Sequence, residues 1–311
     1  MQIQNNLLSI VVPMYNEAEG LNLLFDRLQS VRAHLGIDSE LVIVDDGSTD
    51  NTLENLIILQ KRTPKLRIIE LSRNFGKESA LACGLAHAKG NAVINLDADL
   101  QDSPEIILEM LDRWQEGYDM VSVVRQDRSA DSWLHRSLVK IFYRLLNKIS
   151  EIKITPNIRD YRLMSRAALN AYLELKECNR FNKGLFAWIG FKEYRIAQPF
   201  AERAAGKSKW HFSRLFTFAL DGIISLSSTP LRIWSYFGFS TALLAFIYGL
   251  FIIVKTLIFG IQTRGYASII TIVLFFSGLN MLSVGILGEY IARIFNESKN
   301  RPLYIIRHIH E

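Results

Sequence analysis

Short apolar runs alternate with amphipathic segments through the first part of the chain. The segment 16–34 has apolar residues at the spacing of one helical face, and Gly76 to Lys89 has the pattern of another helix. The apolar runs have the length of buried strands and lie at 7–13, 40–46, 65–71, 91–99 and 118–124. Strands that alternate with helices are typical of βαβ units, so the pattern predicts an α/β domain with a mostly parallel sheet.

Two later segments, Ile233 to Val254 and Gly265 to Gly288, contain no charged residue. Each is long enough to cross the hydrocarbon core of a bilayer, which takes about 20 apolar residues. We therefore predict a globular domain at 1–210 and transmembrane helices at 232–258 and 265–289.

The segment 211–231 links the predicted globular domain to the first membrane helix. Its apolar side chains share one helical face, and it has few charges. This pattern predicts an amphipathic juxtamembrane helix that lies in the membrane interface. A helix packed against the globular domain is the alternative.

Basic residues flank the predicted membrane helices, while their connection holds only Lys255 and Arg264. By the positive-inside rule, the globular domain and both termini are expected in the cytoplasm, with 290–311 as a basic tail. The chain is thus predicted to be a multi-pass protein of the inner (cytoplasmic) membrane. The opening MQIQNNLLSIVVP has no signal-peptide pattern, and Cys83 and Cys178 suit a reducing compartment.

The net charge of +5 raises the question of a nucleic-acid partner. No RNA- or DNA-binding motif accompanies the charge, so none is expected. Basic residues that flank apolar helices favour contact with anionic lipid headgroups instead.

Polar clusters follow three of the predicted strands, at Asp45-Asp46, Arg73-Asn74 and Asp97-Ala98-Asp99. In open α/β sheets, ligands bind beyond the carboxyl ends of the strands. We therefore expect these clusters to lie at one edge of the sheet and to form a ligand site there.

Asp97, Asp99 and Gln101 form a candidate cation site. Two carboxylates one residue apart in a turn can face one hard cation, and the oxygen of Gln101 can add to them. Mg²⁺ or Mn²⁺ there would bridge a nucleotide diphosphate and neutralise charge on the leaving group. An acidic surface turn is the alternative. The position after a buried strand and before Pro104 favours the metal site.

The other two strand ends suggest nucleotide contacts. Asp46 can accept hydrogen bonds from a base or ribose, although a turn built with Gly47 and Ser48 explains the same residues. Arg73 and Lys77 flank a helix start that can meet a phosphate, and an ordinary capped helix is the alternative.

Three further polar sets carry candidate chemistry. Asp160 lies in a polar segment between helical stretches and can orient an acceptor or take a proton, unless it is a surface charge. The basic loop from Arg203 to Trp210 can close over phosphates or touch lipid headgroups. Arg125, Arg128, Arg136 and Lys140 can grip an anionic acceptor or form surface ion pairs.

Seven motifs recur along the strand ends and loops of the chain. They are VVPMYNE (11–17), VDDGSTD (44–50), LSRNFGKESAL (71–81), DADLQDSPE (97–105), RDYRLMSR (159–166), FNKGLFAWIGF (181–191) and RAAGKSKW (203–210). Together they resemble glycosyltransferase family 2, and the likeness extends over essentially the whole chain. The chain looks most like the polyisoprenyl-phosphate glycosyltransferase branch, which includes dolichol-phosphate mannose synthases and bactoprenol glucosyltransferases. The resemblance implies a GT-A, Rossmann-like fold with a two-helix C-terminal membrane anchor, and an inverting sugar transfer.

The resemblance also implies a role for each matching residue. Arg159 departs from the family pattern, in which related sequences often have glycine, and so bears on the role of Asp160. On the donor side, the resemblance implies that Asp46 binds the nucleotide with Pro13, Tyr15 and Glu17, and that Arg203 contacts the diphosphate with Lys209. It implies a D-x-D pair at Asp97 and Asp99, with Asp99 and Gln101 nearest the metal. On the acceptor side, it implies that Asp160 acts as a base or orients the acceptor, and that Arg125 and Arg136, with the neighbouring Lys140, bind the lipid phosphate.

The expected reaction moves one sugar, glucose by first choice from UDP-glucose, to undecaprenyl phosphate for cell-envelope glycosylation. Galactose, N-acetylglucosamine, mannose and aminoarabinose donors stay open, and so does homo-oligomerisation. A processive synthase is a second hypothesis, although the Q-x-x-R-W motif of such enzymes is missing. A membrane scaffold that only binds nucleotides is a third, which the presence of Asp97, Asp99 and Arg203 disfavours.

Overall fold

The structure is a computed structural model of the 311-residue chain. Five of the predicted features lie wholly or largely outside the described residues: the amphipathic helix at 211–231, the basic residues Arg128, Arg136 and Lys140, and the basic loop 203–210. The described residues are 7–125, 144, 147, 155, 158–177, 180, 182–198, 229–259 and 265–311.

One mixed sheet of eight strands organises the described part of the chain. The strands are β1 Leu7–Met14, β2 Asp38–Asp45, β3 Leu66–Leu71, β4 Ala92–Asn95, β5 Met120–Arg125, β6 Ile158–Ser165, β7 Glu193–Gln198 and β8 Ile306–His310. Their order in the sheet is β7-β5-β6-β4-β1-β2-β3-β8. The centre of the sheet, β3-β2-β1-β4, is parallel, whereas β6 runs antiparallel to both β4 and β5.

Helices cover both faces of this sheet, as the alternation of strands and helices predicts. The helices are α1 Leu21–Ala33, α2 Thr52–Gln60, α3 Lys77–His87, α4 Ile106–Gln115, α5 Arg166–Glu174, α6 Asn182–Trp188, α7 Thr229–Phe259 and α8 Tyr266–Ser298. Apolar residues of β1 alternate between the two faces: Ile10 belongs to the core under α1, α2 and α4, and Val11 to the core under α3, α5 and α6.

The sequence pattern located β1 to β5 but not β6. We expected Asp160, Tyr161 and Arg162 in a polar segment between helices, and this was wrong because the segment is a buried strand. Tyr161 and Leu163 pack into the core on one side of the sheet, while Met164 packs on the other. The intervening charged residues hide this alternation from a reading of hydropathy alone.

The C-terminal segment, which we expected to be a basic tail at 290–311, contains regular secondary structure. Residues to Ser298 continue α8, and β8 adds an antiparallel strand to β3. Arg307 forms an ion pair with Glu70 at 2.8 Å and also donates to the Ser72 carbonyl. Pairing with β8 covers the outer edge of β3, which would otherwise present free backbone groups.

Two helices among the described residues are long and apolar enough to cross a membrane, through Trp234–Phe251 of α7 and Phe275–Ser298 of α8. Large apolar side chains on them are exposed, for example Phe246 at 70 % and Leu257 at 81 %. Apolar surface of this extent marks contact with a membrane or another protein. The fold prediction of an α/β domain followed by two apolar helices is confirmed.

Candidate active site

Asp46 directly follows β2 and contacts the loop that follows β3. Its carboxylate accepts hydrogen bonds from the backbone amides of Phe75 at 2.7 Å and Gly76 at 2.9 Å. Burial raises the pKa of Asp46, while these two amides act against that rise. The carboxylate predicted to contact a nucleotide therefore also fixes the loop that opens α3.

Gly47 lets the same loop approach closely. Its φ is +65°, and a Cβ at this position would lie 2.5 Å from the carbonyl carbon of Arg73. Only glycine accepts both the left-handed backbone and this contact. Arg73 itself is exposed, with its guanidinium 4.0 Å from the centre of the Phe75 ring.

The loop after β1 lies beside Asp46, whose backbone amide donates to the carbonyl of Met14 at 2.9 Å. Tyr15 is 39 % exposed there, and the amide of Glu17 donates to the Thr52 hydroxyl at 3.0 Å. Pro13 is buried within β1. The residues predicted to share a nucleotide pocket therefore lie at neighbouring strand ends.

Lys77, the first residue of α3, bridges two carboxylates from distant parts of the sequence. Its Nζ lies 2.7 Å from Asp97 Oδ2 and 3.4 Å from Asp160 Oδ2. Burial favours the neutral amine, but Asp97 and Asp160 raise the pKa of Lys77 above its usual value. The structure thus brings together residues predicted separately for phosphate, metal and acceptor.

Asp160 is held by backbone and by charge. The side-chain amide of Asn95, at the end of β4, donates to the Asp160 carbonyl. Burial acts to raise the pKa of the Asp160 carboxyl, yet the charges of Lys183 and Lys77 lower it. A carboxylate in this environment stays ionised and suits orientation of an acceptor.

The turn after β4 carries the predicted D-x-D pair. Asp99 accepts a hydrogen bond from the amide of Gln101 at 3.2 Å, and Leu100 between them has a φ of 55°. Asp102 is buried and forms an ion pair with Arg159 at 2.7 Å. The turn is therefore fixed from β6 as well as from within.

Comparison with known proteins supplies the family. Residues 9–173 match the model "Glycosyl transferase family 2", and residues 229–294 match "GtrB C-terminal hairpin". The chain belongs to glycosyl transferase family 2. The family resemblance drawn from the motifs is confirmed, and with it glycosyltransferase as the class of enzyme.

Several relatives within the family match nearly end to end. An uncharacterized glycosyltransferase of Synechocystis is 46 % identical, with 96 % of this chain and 94 % of that protein covered. The SfII prophage-derived bactoprenol glucosyl transferase of Shigella flexneri is 43 % identical, with 97 % and 98 % covered. A prophage bactoprenol glucosyl transferase homolog of Escherichia coli is 42 % identical, with 97 % and 99 % covered.

Among solved structures, a mycobacterial protein is 18 % identical, with a TM-score of 0.51 over 70 % of this chain and 73 % of that one. At this identity the match concerns the fold alone. The GT-A fold implied by the resemblance is confirmed by the family match together with the mostly parallel sheet.

The donors of the turn suit a hard divalent cation of the kind expected for a family 2 enzyme. Asp97, Asp99 and Gln101 offer carboxylate and amide oxygens, and all three side chains are partly exposed. Within the described residues, no three acidic, histidine or cysteine side chains gather into a metal cluster. Mg²⁺ commonly takes one or two carboxylates and fills its shell with substrate phosphates and water, so this donor set fits.

Four residues on the Asp160 side of the site were not predicted as site residues: Glu78, Arg162, Asn182 and Lys183. Glu78 accepts a hydrogen bond from the Asn182 amide, and burial, with Asp160 next, raises the pKa of Glu78 to about 7. Arg162 is buried, 3.9 Å from the centre of the Phe186 ring. The motif 181–191 contains Asn182 and Lys183 and was the available signal, but their proximity to Asp160 depends on the tertiary fold.

Several predicted site residues have no described side chain. Arg125 ends β5, and its side chain is outside the description, as are Arg136, Lys140, Arg203 and Lys209. Their roles in binding the acceptor phosphate and the diphosphate stay predictions.

Proposed function

We propose that this glycosyltransferase moves glucose from UDP-glucose to undecaprenyl phosphate at the cytoplasmic face of the membrane. The observation that carries the proposal is the bridge of Lys77 between Asp97 and Asp160. It unites a donor-side carboxylate with an acceptor-side carboxylate at the edge of the sheet where the parallel strands end. Support for the substrates comes from the bactoprenol glucosyl transferases that are 41–43 % identical over nearly the whole chain.

The transfer is a single displacement. An oxygen of the lipid phosphate attacks the anomeric carbon, the bond from that carbon to the diphosphate oxygen breaks, and UDP leaves with the bonding electron pair. The anomeric configuration inverts. A phosphate monoester has a second pKa of about 6 and needs little deprotonation at neutral pH. Asp160 therefore orients the acceptor more than it removes a proton.

Asp97, Asp99 and Gln101 would hold Mg²⁺ or Mn²⁺. When bound, such a cation neutralises negative charge on the diphosphate. Arg203 and Lys209 are proposed to contact the same diphosphate, and Arg125, Arg136 and Lys140 the phosphate of the lipid. Asp46, Pro13, Tyr15 and Glu17 are proposed to surround the nucleoside, with Arg73 at the rim.

The apolar helices α7 and α8 give the reaction its location. An isoprenoid acceptor is confined to the bilayer, and an enzyme tethered there searches only the plane of the membrane. Their basic flanks favour a cytoplasmic catalytic domain and attract anionic headgroups.

The test uses the full chain in detergent micelles with undecaprenyl phosphate, UDP-glucose and Mn²⁺. We expect release of UDP that depends on both the lipid and the cation, with one glucose per lipid in the product. A panel of UDP-galactose, UDP-N-acetylglucosamine and GDP-mannose identifies the sugar. Glucose polymer in the product, or no lipid-dependent release with any donor, contradicts the proposal.

A matched pair of variants ties the activity to the site. Asp99→Asn removes a proposed cation ligand and should abolish transfer. Asp112→Asn makes the same change on the exposed side of α4 and should leave transfer unchanged. Equal activity of the two variants excludes the assignment of Asp99.

A further inference from the structure

We propose that Arg159 is a positioning residue that sets the geometry of the cation-binding turn 99–102. The inference deepens the proposed function, because it concerns the same turn, and it assigns a role to the residue that departs from the family pattern. Three contacts from one guanidinium group carry it.

The first contact is the ion pair with Asp102. Arg159 Nη1 lies 2.7 Å from Asp102 Oδ1, and the Asp102 side chain is 3 % exposed. A carboxylate buried this deeply needs a charged or hydrogen-bonding partner. Removing one member of a buried pair leaves an uncompensated charge, so the turn depends on Arg159 to keep Asp102 in place.

The other two contacts are with Gln101. Arg159 Nη1 donates to the Gln101 carbonyl at 3.3 Å, and Nη2 reaches the side-chain oxygen Oε1 at 3.5 Å. The planar guanidinium therefore touches both the backbone and the side chain of a proposed cation ligand. Lysine has no such fork of donors.

The backbone of the turn explains why outside support is needed. Leu100 has a φ of 55°, a left-handed backbone conformation that is unfavourable for residues other than glycine. Its side chain is buried. A conformation of this kind persists where surrounding contacts impose it. Asp99 and Gln101 flank Leu100, so the same contacts fix the direction of both proposed ligands.

The strand β6 holds the turn from both of its faces. Consecutive residues of a strand point to opposite faces, so Arg159 and Asp160 diverge. Arg159 reaches Asp102 on one face, whereas Asp160 meets Lys77, and through it Asp97, on the other. One β6 dipeptide thus braces the beginning and the end of the segment 97–102.

The experiment measures Mn²⁺ affinity by electron paramagnetic resonance, using the full chain in detergent with UDP present. Loss of a residue that orients a metal ligand typically weakens metal binding about 10- to 100-fold. We expect Arg159→Gln to weaken Mn²⁺ binding by this factor, with a changed Mn²⁺ spectrum. Arg159→Lys should recover part of the affinity, because it restores the charge without the fork.

Arg166→Gln is the matched control, since Arg166 follows the opposite end of β6. It also holds backbone, donating to the carbonyls of Gly90 at 2.9 Å and Ala88 at 3.0 Å. We expect this variant to lose thermal stability while it keeps wild-type Mn²⁺ affinity. Asp102→Asn should weaken Mn²⁺ binding as Arg159→Gln does. The Mn²⁺ affinity of the double variant should be only slightly lower than that of either single variant.

Wild-type Mn²⁺ affinity and spectrum in a folded Arg159→Gln variant overturn the proposal, and so does a wild-type chain that binds no Mn²⁺ with UDP. Failure of the proposed function looks different. In that case the wild type binds Mn²⁺ and UDP, Arg159→Gln weakens this binding, and no sugar reaches the lipid.

Discussion

Lys77 Nζ lies 2.7 Å from Asp97 Oδ2, so the first residue of α3 is ion-paired with the first carboxylate of the D-x-D turn. The same ammonium group lies 3.4 Å from Asp160 Oδ2. The Lys77 ammonium group therefore keeps close together two carboxylates that would otherwise repel each other. The position makes Lys77 a link between the proposed donor and acceptor sides of the site.

We predict that Lys77→Gln lowers kcat/KM for lipid glucosylation by about 100-fold, the scale for loss of one group that stabilises charge in an active site. Without Lys77, the pKa of Asp160 rises, so the acidic limb of the pH–rate profile moves to higher pH. Lys77→Arg should retain part of the activity. Steady-state kinetics over a pH series measure both effects.

The control for Lys77 is Lys89→Gln, which removes an exposed lysine shortly after the other end of α3. It should leave kcat/KM and the pH profile unchanged. A Lys77→Gln enzyme with wild-type kinetics shows that the bridge has no part in the reaction.

Gly47→Ala tests the close approach between the loops after β2 and β3. A left-handed backbone costs a non-glycine residue about 1–2 kcal/mol, and overpacking adds about 1–3 kcal/mol. The Cβ would lie 2.5 Å from the Arg73 backbone, so we expect a loss of about 2–5 kcal/mol together with weaker UDP binding. Thermal unfolding in detergent and UDP titration measure the two effects.

Gly36→Ala separates backbone strain from the steric contact. Gly36 has the same φ of +65° as Gly47, but no atom lies within 4 Å of the added Cβ. It should cost only about 1–2 kcal/mol and leave UDP binding intact. Equal losses in the two variants would rule out the clash with the Arg73 backbone as the cause.

Ile309→Asp tests the docking of β8 on β3. Ile309 pairs with Ile69 and packs, partly buried, against the core under α3, so an unpaired charge there should cost about 2–3 kcal/mol. Exposure of the β3 edge should also promote aggregation. Ile305→Asp makes the same change at a residue that is 53 % exposed and should be neutral. Matching melting temperatures for these two variants contradict the prediction.

Glu78 should make stability depend on pH. Burial, with Asp160 next, raises the pKa of Glu78 to about 7 from 4.5, so the folded chain binds a proton that the unfolded chain has released in this range. Stability from this residue is present below about pH 4.5 and is lost as the pH rises to about 7. One pKa unit equals about 1.4 kcal/mol, so the loss is on the order of 3 kcal/mol.

Glu78→Gln should remove this dependence, so its stability relative to the wild type should increase from acidic to mildly alkaline pH. Thermal unfolding of both proteins in detergent at several pH values measures the difference. Glu54→Gln, an exposed first-turn residue of α2, should show no such trend. A constant difference between Glu78→Gln and the wild type refutes the prediction.

The hydropathy pattern along the sequence was sufficient to predict the strands in the parallel half of the sheet. Runs such as 40–46 are apolar on both faces, because helices cover both sides of the strand. β6 gives no such signal, since Arg159, Asp160 and Arg162 interrupt its apolar positions. β8 contains two histidines and an arginine, and its pairing with β3 depends on a contact with a distant part of the chain.

The sequence by itself determined the family, the alternating α/β elements, the two apolar helices and the acidic turn at Asp97 and Asp99. Tertiary structure decided which of these side chains meet: Lys77 with Asp97 and Asp160, and Arg159 with Asp102. The physical reason is that periodicity reports which face of an element is buried, whereas contacts between charges far apart in sequence depend on strand order. Insertion of β6 between β4 and β5 placed Asp160 and Arg159 on either side of the same turn.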